Sequence, residues 1–148
     1  MRVALGADHA GFRFKEEIAR RLRELGHVVE DCGCHGEESC DYPDFGAAAA
    51  RAVAEGRAER GIVVCGTGIG IGMAANKVPG VRAAVVHDRF TAAMSREHND
   101  ANVLCLGARV LDPRHAVELA EYWIGLAFQG GRHEARVRKL EALDGPRA

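Results

Sequence analysis

The strongest constraint in this sequence is an alternation that runs through the whole chain. Short runs of β-branched and apolar residues are separated by longer stretches whose apolar residues recur at helical spacing. Arg2–Ala7 reads as a first strand. After it Phe14, Ile18, Leu22 and Leu25 recur among charges, and Gly26 ends the helix. Residues 27–31 form a second strand, and a loop rich in glycine, cysteine and acids leads to Tyr42-Pro43 and a helix reaching about Glu55. Residues 61–65 are a continuous apolar run, as in a strand buried on both faces, followed by a glycine-rich turn and a helix through Asn76. Residues 82–86 and 103–106 are the fourth and fifth strands, with a helix from Phe90 to about Glu97 between them. Asp112-Pro113 supplies an N-cap and a first-position proline for a helix carrying Ala116, Leu119, Ala120, Trp123 and Ala127 on one face. A last helical stretch begins after Gly130-Gly131 and runs to about Leu143.

Five strands alternating with helices predict an α/β fold, a three-layer α/β/α sandwich around a five-stranded parallel, Rossmann-like sheet. The 148 residues suit one domain, 1–148. Strand order does not follow from the pattern. In such folds the functional groups gather outside the carboxyl ends of the strands. That rule selects the turns at Asp8-His9-Ala10-Gly11, Cys65 to Gly72, His87-Asp88 and Gly107-Ala108-Arg109.

Composition excludes several classes of function. A net charge of −1 gives no whole-protein field for nucleic acid or an anionic membrane. No apolar run approaches the roughly 20 residues that span a bilayer. The opening residues meet Asp8 too early for a signal peptide, and five cysteines is an odd number. A cytoplasmic protein with reduced thiols is expected.

The turn Cys65-Gly66-Thr67-Gly68-Ile69-Gly70-Ile71-Gly72 carries the most chemistry. Its glycines let backbone N–H groups converge, and the following helix adds its N-terminal dipole, which suits a phosphate or an enolate oxygen. It is neither a Walker loop nor a dinucleotide fingerprint, because no Gly-Lys-Ser/Thr follows and residue 71 is Ile. Cys65 stands where a helix N-terminus can hold a thiolate, although a buried strand cysteine is the alternative. Without an arginine at the far end the loop cannot be a tyrosine-phosphatase loop, and without Cys-x-x-Cys it is not thioredoxin-like. Asp8 and His9 project an acid and an imidazole from the first strand. His98 and Asn99 end the helix before the fifth. Such histidines could open a sugar ring and bind its phosphate, or simply cap and face solvent. Arg132 and Arg136, four apart on one helix face, could fork onto a phosphate or pair with Glu134. Cys32, Cys34, His35 and Cys40 resemble a metal site in composition, but their spacing fits no zinc pattern, so no metal is expected.

Taken together, these residues resemble the type B ribose-5-phosphate isomerases of the ribose/galactose sugar-phosphate isomerase family. The marks are Gly6-Ala7-Asp8-His9-Ala10-Gly11, Asp41-Tyr42-Pro43, the Cys65–Gly70 loop running on to Ala74-Ala75-Asn76-Lys77, Ser95-Arg96-Glu97-His98-Asn99-Asp100, Gly107-Ala108-Arg109 and Gly130-Gly131-Arg132-His133. The resemblance implies interconversion of ribose 5-phosphate and ribulose 5-phosphate with neither metal nor organic cofactor. It implies a homodimer or homotetramer, with the C-terminal helix packing on a partner subunit. Cys65 would be the base moving a proton between C1 and C2 through an enediolate, since Ile71 occupies the place where another branch carries a Glu. Thr67 and the N–H groups of the loop, including Gly66, Gly68 and Gly70, would handle the oxygens. His98, helped by Asp8, would open the furanose. His9, Arg132, Arg136 and Arg109 would hold the phosphate, and Tyr42 and Asn99 would contact the sugar. A helix of about ten residues is on the order of 15 Å long, so His98 and Cys65 of one chain are expected at opposite edges of the sheet. Six-carbon sugar phosphates (allose 6-phosphate or galactose 6-phosphate) are the alternative substrates. A non-catalytic phosphosugar sensor is the alternative class.

Overall fold

The computed structural model describes residues 1–146. Its strands are β1 (Arg2–Ala7), β2 (Val28–Asp31), β3 (Arg60–Cys65), β4 (Ala83–Val85) and β5 (Val103–Gly107), all parallel, in the order β2-β1-β3-β5-β4. The helices are α1 (Phe12–Glu24), α2 (Tyr42–Ala54), α3 (Ile69–Asn76), α4 (Arg89–Glu97), α5 (Pro113–Ile124) and α6 (Glu134–Ala142), the last preceded by a 3-10 turn over Gly131–His133.

Strand periodicity divides the core into two layers. Val3, Leu5, Ile62, Val64, Leu104 and Leu106 face α1, α4 and α5, where they meet Phe14, Ile18, Leu22, Ala92, Leu119 and Trp123. Ala4, Val63, Cys65, Val103 and Cys105 face the other way, onto Ala49, Ala50, Ala52, Ile71 and Ala75 of α2 and α3. The second layer is built of small residues, so its helices approach the sheet closely. A side chain at Gly6 would put Cβ 2.6 Å from the Phe45 carbonyl oxygen of α2. The central strands β1, β3 and β5 read as continuous apolar runs because both their faces are covered. The short edge strands β2 and β4 are only partly buried.

Two buried polar groups fasten the layer of α1, α4 and α5, one to the sheet and one within itself. Lys15, only 1% exposed, reaches from α1 to the Asp31 carboxylate at the end of β2 at 2.6 and 2.7 Å. Trp123, buried under α4, donates its indole N–H to Ser95 Oγ at 3.0 Å. Element boundaries differ from the sequence expectation for local reasons. The Asp88 carboxylate accepts the Thr91 N–H at 2.7 Å, so α4 starts one residue early, at Arg89. Gly125 ends α5, which leaves Ala127 outside the helix rather than on its apolar face. The last helical stretch opens as a 3-10 turn, since Gly130 and Gly131 both take positive φ. Within its own chain α6 buries Val137, and its end is tied to the start of β4 by Arg82–Glu141 at 3.1 Å and the Gly80 N–H to Asp144 at 2.7 Å. Among the described residues no helix is long and apolar enough to cross a membrane.

Candidate active site

The expected site residues fall into two groups, at opposite edges of the sheet. Cys65, 4% exposed, ends β3 beside Gly107 of β5. Its Sγ accepts the N–H of Gly68 at 3.2 Å. That bond requires the chain to turn back sharply, and Gly68 does so with φ at +78°, the left-handed region glycine enters at no cost. A Cβ at Gly68 would also lie 2.9 Å from the Leu106 backbone, so the loop sits directly on β5. The Thr67 hydroxyl accepts the Ile69 N–H at 3.2 Å and stays exposed. The N–H groups of Gly70 and Ile71 begin α3 and, as in any first turn, have no intrahelical carbonyl to meet. They converge where a developing negative charge on oxygen would be stabilised.

Two side chains close over this loop. A Cβ at Gly66 would come 2.9 Å from Nη1 of Arg109, whose backbone N–H also donates to the Gly66 carbonyl at 2.9 Å. A Cβ at Gly70 would come 2.6 Å from Cζ of Tyr42. Glycine at 66 and 70 therefore makes room for a guanidinium and a phenol ring, in addition to exposing backbone. His87, from the turn after β4, reaches the same place. Its Nε2 is buried without a partner and lies 2.9 Å from where a Gly107 Cβ would sit. Sequence reasoning marked that turn but assigned His87 no role.

Asp8 and His9 leave β1 at the same edge. The Asp8 carboxylate accepts the N–H groups of Ala10 and Gly11 at 3.0 and 3.1 Å, which fixes the turn into α1. Nδ1 of His9 accepts the Cys40 N–H at 3.2 Å, so its exchangeable proton belongs on Nε2. The cysteine-rich loop thus orients a site histidine through its backbone, a function invisible in the spacing of its thiols. Burial, with Cys34 close by, pushes the Cys40 thiol up. Burial and Asp31 do the same for Cys32. Cys105, enclosed beneath Cys65, is held protonated by burial above all and then by Cys65 itself. All five cysteines are free thiols, and among the described residues no three His, Cys, Asp or Glu side chains are grouped to hold a metal.

The second group lies at the opposite edge. α4 carries the chain away from the carboxyl ends and delivers His98 as its C-cap. Asn99 follows and lines a cavity of about 380 Å³ together with Arg82, Leu140 and Asp144. Arg96 and Asp100 build this corner. Asp100, at φ +49°, accepts from Arg96 at 2.8 Å and from Arg82 at 3.2 Å, and Arg96 also donates to the Ala101 carbonyl at 2.6 Å. The His98 ring stacks on His133, centroids 4.0 Å apart and planes 16° apart. Arg132 and Arg136 lie beside His133 and are exposed. Glu134 pairs with Arg138 at 3.6 Å rather than with either of them. Among the described residues neither Arg132 nor Arg136 makes an ion pair. Asp8 and His98 therefore do not meet within one chain.

Comparison with known proteins places the whole chain in one family. The family model described as Ribose/Galactose Isomerase matches residues 3–140. Ribose-5-phosphate isomerase B of Escherichia coli is 43% identical over 97% of this chain and 96% of its own. D-erythrulose-4-phosphate isomerase 2 of Mycolicibacterium smegmatis is 39% identical over 98% of each chain. The solved structure of Clostridium thermocellum ribose-5-phosphate isomerase B is 52% identical, superposes with a TM-score of 0.95 and covers 97% of each chain. With a family model and full-length relatives pointing the same way, this chain belongs to the ribose/galactose isomerase family.

Proposed function

We propose that the protein is a sugar-phosphate aldose–ketose isomerase that interconverts ribose 5-phosphate and ribulose 5-phosphate through an enediolate, with Cys65 as the base. The observation that carries this reading is the Cys65 sulfur at the N-terminus of α3, receiving the Gly68 N–H within a loop of converging donors. A thiolate there would accept that hydrogen bond more strongly than a thiol, and would take the C2 proton of the open-chain aldose and return it at C1. The Thr67 hydroxyl and the free N–H groups of Gly70 and Ile71 would stabilise the charge on O1 and O2 as it develops. Tyr42 and Arg109, lying over the glycines, would shield the intermediate and hold the substrate.

The same reading assigns ring opening to His98, sugar contact to Asn99 and phosphate binding to His9, Arg132 and Arg136. These groups lie at opposite edges of one chain, so each complete site draws on two chains of a homodimer. An apolar strip supports that assembly. Ile69 and Met73 lie one turn apart on α3, Val85 on edge strand β4 and Phe90 at the start of α4, and all are exposed. α3 meets β4 directly, with a Gly72 Cβ position 3.0 Å from Val85. Such a strip flanking a sheet edge suits a two-fold interface.

Relatives named as D-erythrulose-4-phosphate isomerases favour four-carbon sugar phosphates as a second substrate class. A tetrose esterified at O4 cannot close a furanose, so the same base would serve without ring opening. The enediolate is tested by running the isomerisation in D2O and following the product by proton NMR. Deuterium at the carbon that receives the proton is expected. Deuterium uptake at the wild-type rate in a folded Cys65→Ala would refute proton transfer through Cys65.

A further inference from the structure

His133 comes forward from a segment pinned to the end of α4. The Gln129 N–H donates to the Glu97 carbonyl at 3.0 Å, and the Gln129 side-chain amide donates to the Glu97 carboxylate at 3.1 Å. Gly130 and Gly131, at φ +65° and +57°, then turn the chain inward. The result is a histidine only 7% exposed between two exposed arginines, its ring flat against His98. We propose that His133 is a positioning residue: it fixes the ring plane of His98 and leaves the acid function to His98 alone. This rests on the reading of His98 as the group that opens the furanose.

A general acid aimed at a ring oxygen needs a fixed direction and a defined charge. The terminal torsion of a histidine is broad and roughly two-fold, so an exposed ring at a helix end swings. Stacking at 4.0 Å removes that freedom. It also forbids two imidazolium ions, since like charges that close destabilise each other. The charged groups that face His133 are His98 from α4 and Arg132 and Arg136 from its own segment, while the Glu97 carboxylate is taken up by Gln129. Burial first, and then these cationic neighbours, hold His133 below the ordinary histidine range. His133 is thereby kept neutral, a flat partner for the His98 ring rather than a second acid.

The test compares two reactions of the same protein. Conversion of ribose 5-phosphate requires ring opening. Exchange of the C1 proton of ribulose 5-phosphate with D2O does not, because that ketose is acyclic. In His133→Ala the first should fall about tenfold or more through kcat, as misplacement of a catalytic group does, while the exchange stays near wild type. His133→Phe keeps a neutral ring on His98 and should recover most of the loss. An equal fall in both reactions would overturn the proposal, as would a folded His133→Phe that recovers nothing. His98→Ala separates the role of His98 from that of His133. If it spares ribose 5-phosphate conversion, the reading of His98 has failed. If it alone impairs conversion while His133→Ala does not, only the role of His133 has.

Discussion

Mixing two dead variants should restore activity to this protein. Cys65 ends β3 and His98 follows α4, which runs back past the sheet. The four residue steps of β3 from Gly61 to Cys65 cover about 13 Å, and the nine residues of α4 return a similar distance, so one substrate cannot touch both groups in one chain. Cys65→Ala and His98→Asn homodimers should each lose at least about a hundredfold in turnover, the low end for removing an acid or a base. A heterodimer of the two carries one site with both groups intact and one with neither. Random pairing makes about half of the dimers mixed, so an exchanged mixture should recover about a quarter of wild-type activity in a symmetric two-chain assembly. Heterodimers isolated with two affinity tags should show about half. The assay is ribulose 5-phosphate formation before and after subunit exchange. No recovery in purified heterodimers would refute the shared site, because a one-chain site leaves every protomer dead.

Other substitutions probe the layers beneath that site. Gly70→Ala drives a methyl group into the Tyr42 ring, at 2.6 Å from Cζ, and Tyr42 is exposed enough to swing away. The melting temperature should change little while KM for ribose 5-phosphate rises severalfold. An unchanged KM would remove Tyr42 from the substrate's surroundings. Lys15→Met leaves Asp31 without its ion pair at the end of β2 and should cost about 1–3 kcal/mol, read as a lowered urea midpoint. Burial opposes the Asp31 carboxylate, but Lys15, the Gly33 N–H and His35 outweigh it and hold its pKa below the ordinary carboxylate range. Wild-type stability from this pair is thus present above that ordinary range and lost as pH falls through the lowered pKa. Lys15→Met should flatten this acid limb, and an unaltered limb would show that other carboxylates produce it.

Much of this was legible in the sequence. Apolar runs and helical spacing located all five strands, because in a sheet covered on both faces the central strands must be apolar throughout. The order β2-β1-β3-β5-β4 was not legible, since pairing is settled by long-range packing rather than by local pattern. The Cys65–Gly72 loop could be read because its chemistry is contiguous. The reasons for individual glycines could not, since Gly66 and Gly70 answer to Arg109 and Tyr42, residues distant along the chain. His133 stood in a motif without a role, and only the fold brings its ring onto His98. Cys40 acts through its backbone N–H, which no side-chain pattern can reveal.

The most direct test of the proposed activity is ketose formation from ribose 5-phosphate by EDTA-treated protein, with Cys65→Ala measured alongside and its fold checked by circular dichroism. Turnover that persists in EDTA and vanishes in folded Cys65→Ala is the expected result. Turnover that survives the substitution, or that EDTA abolishes, would contradict a thiolate base working without a metal.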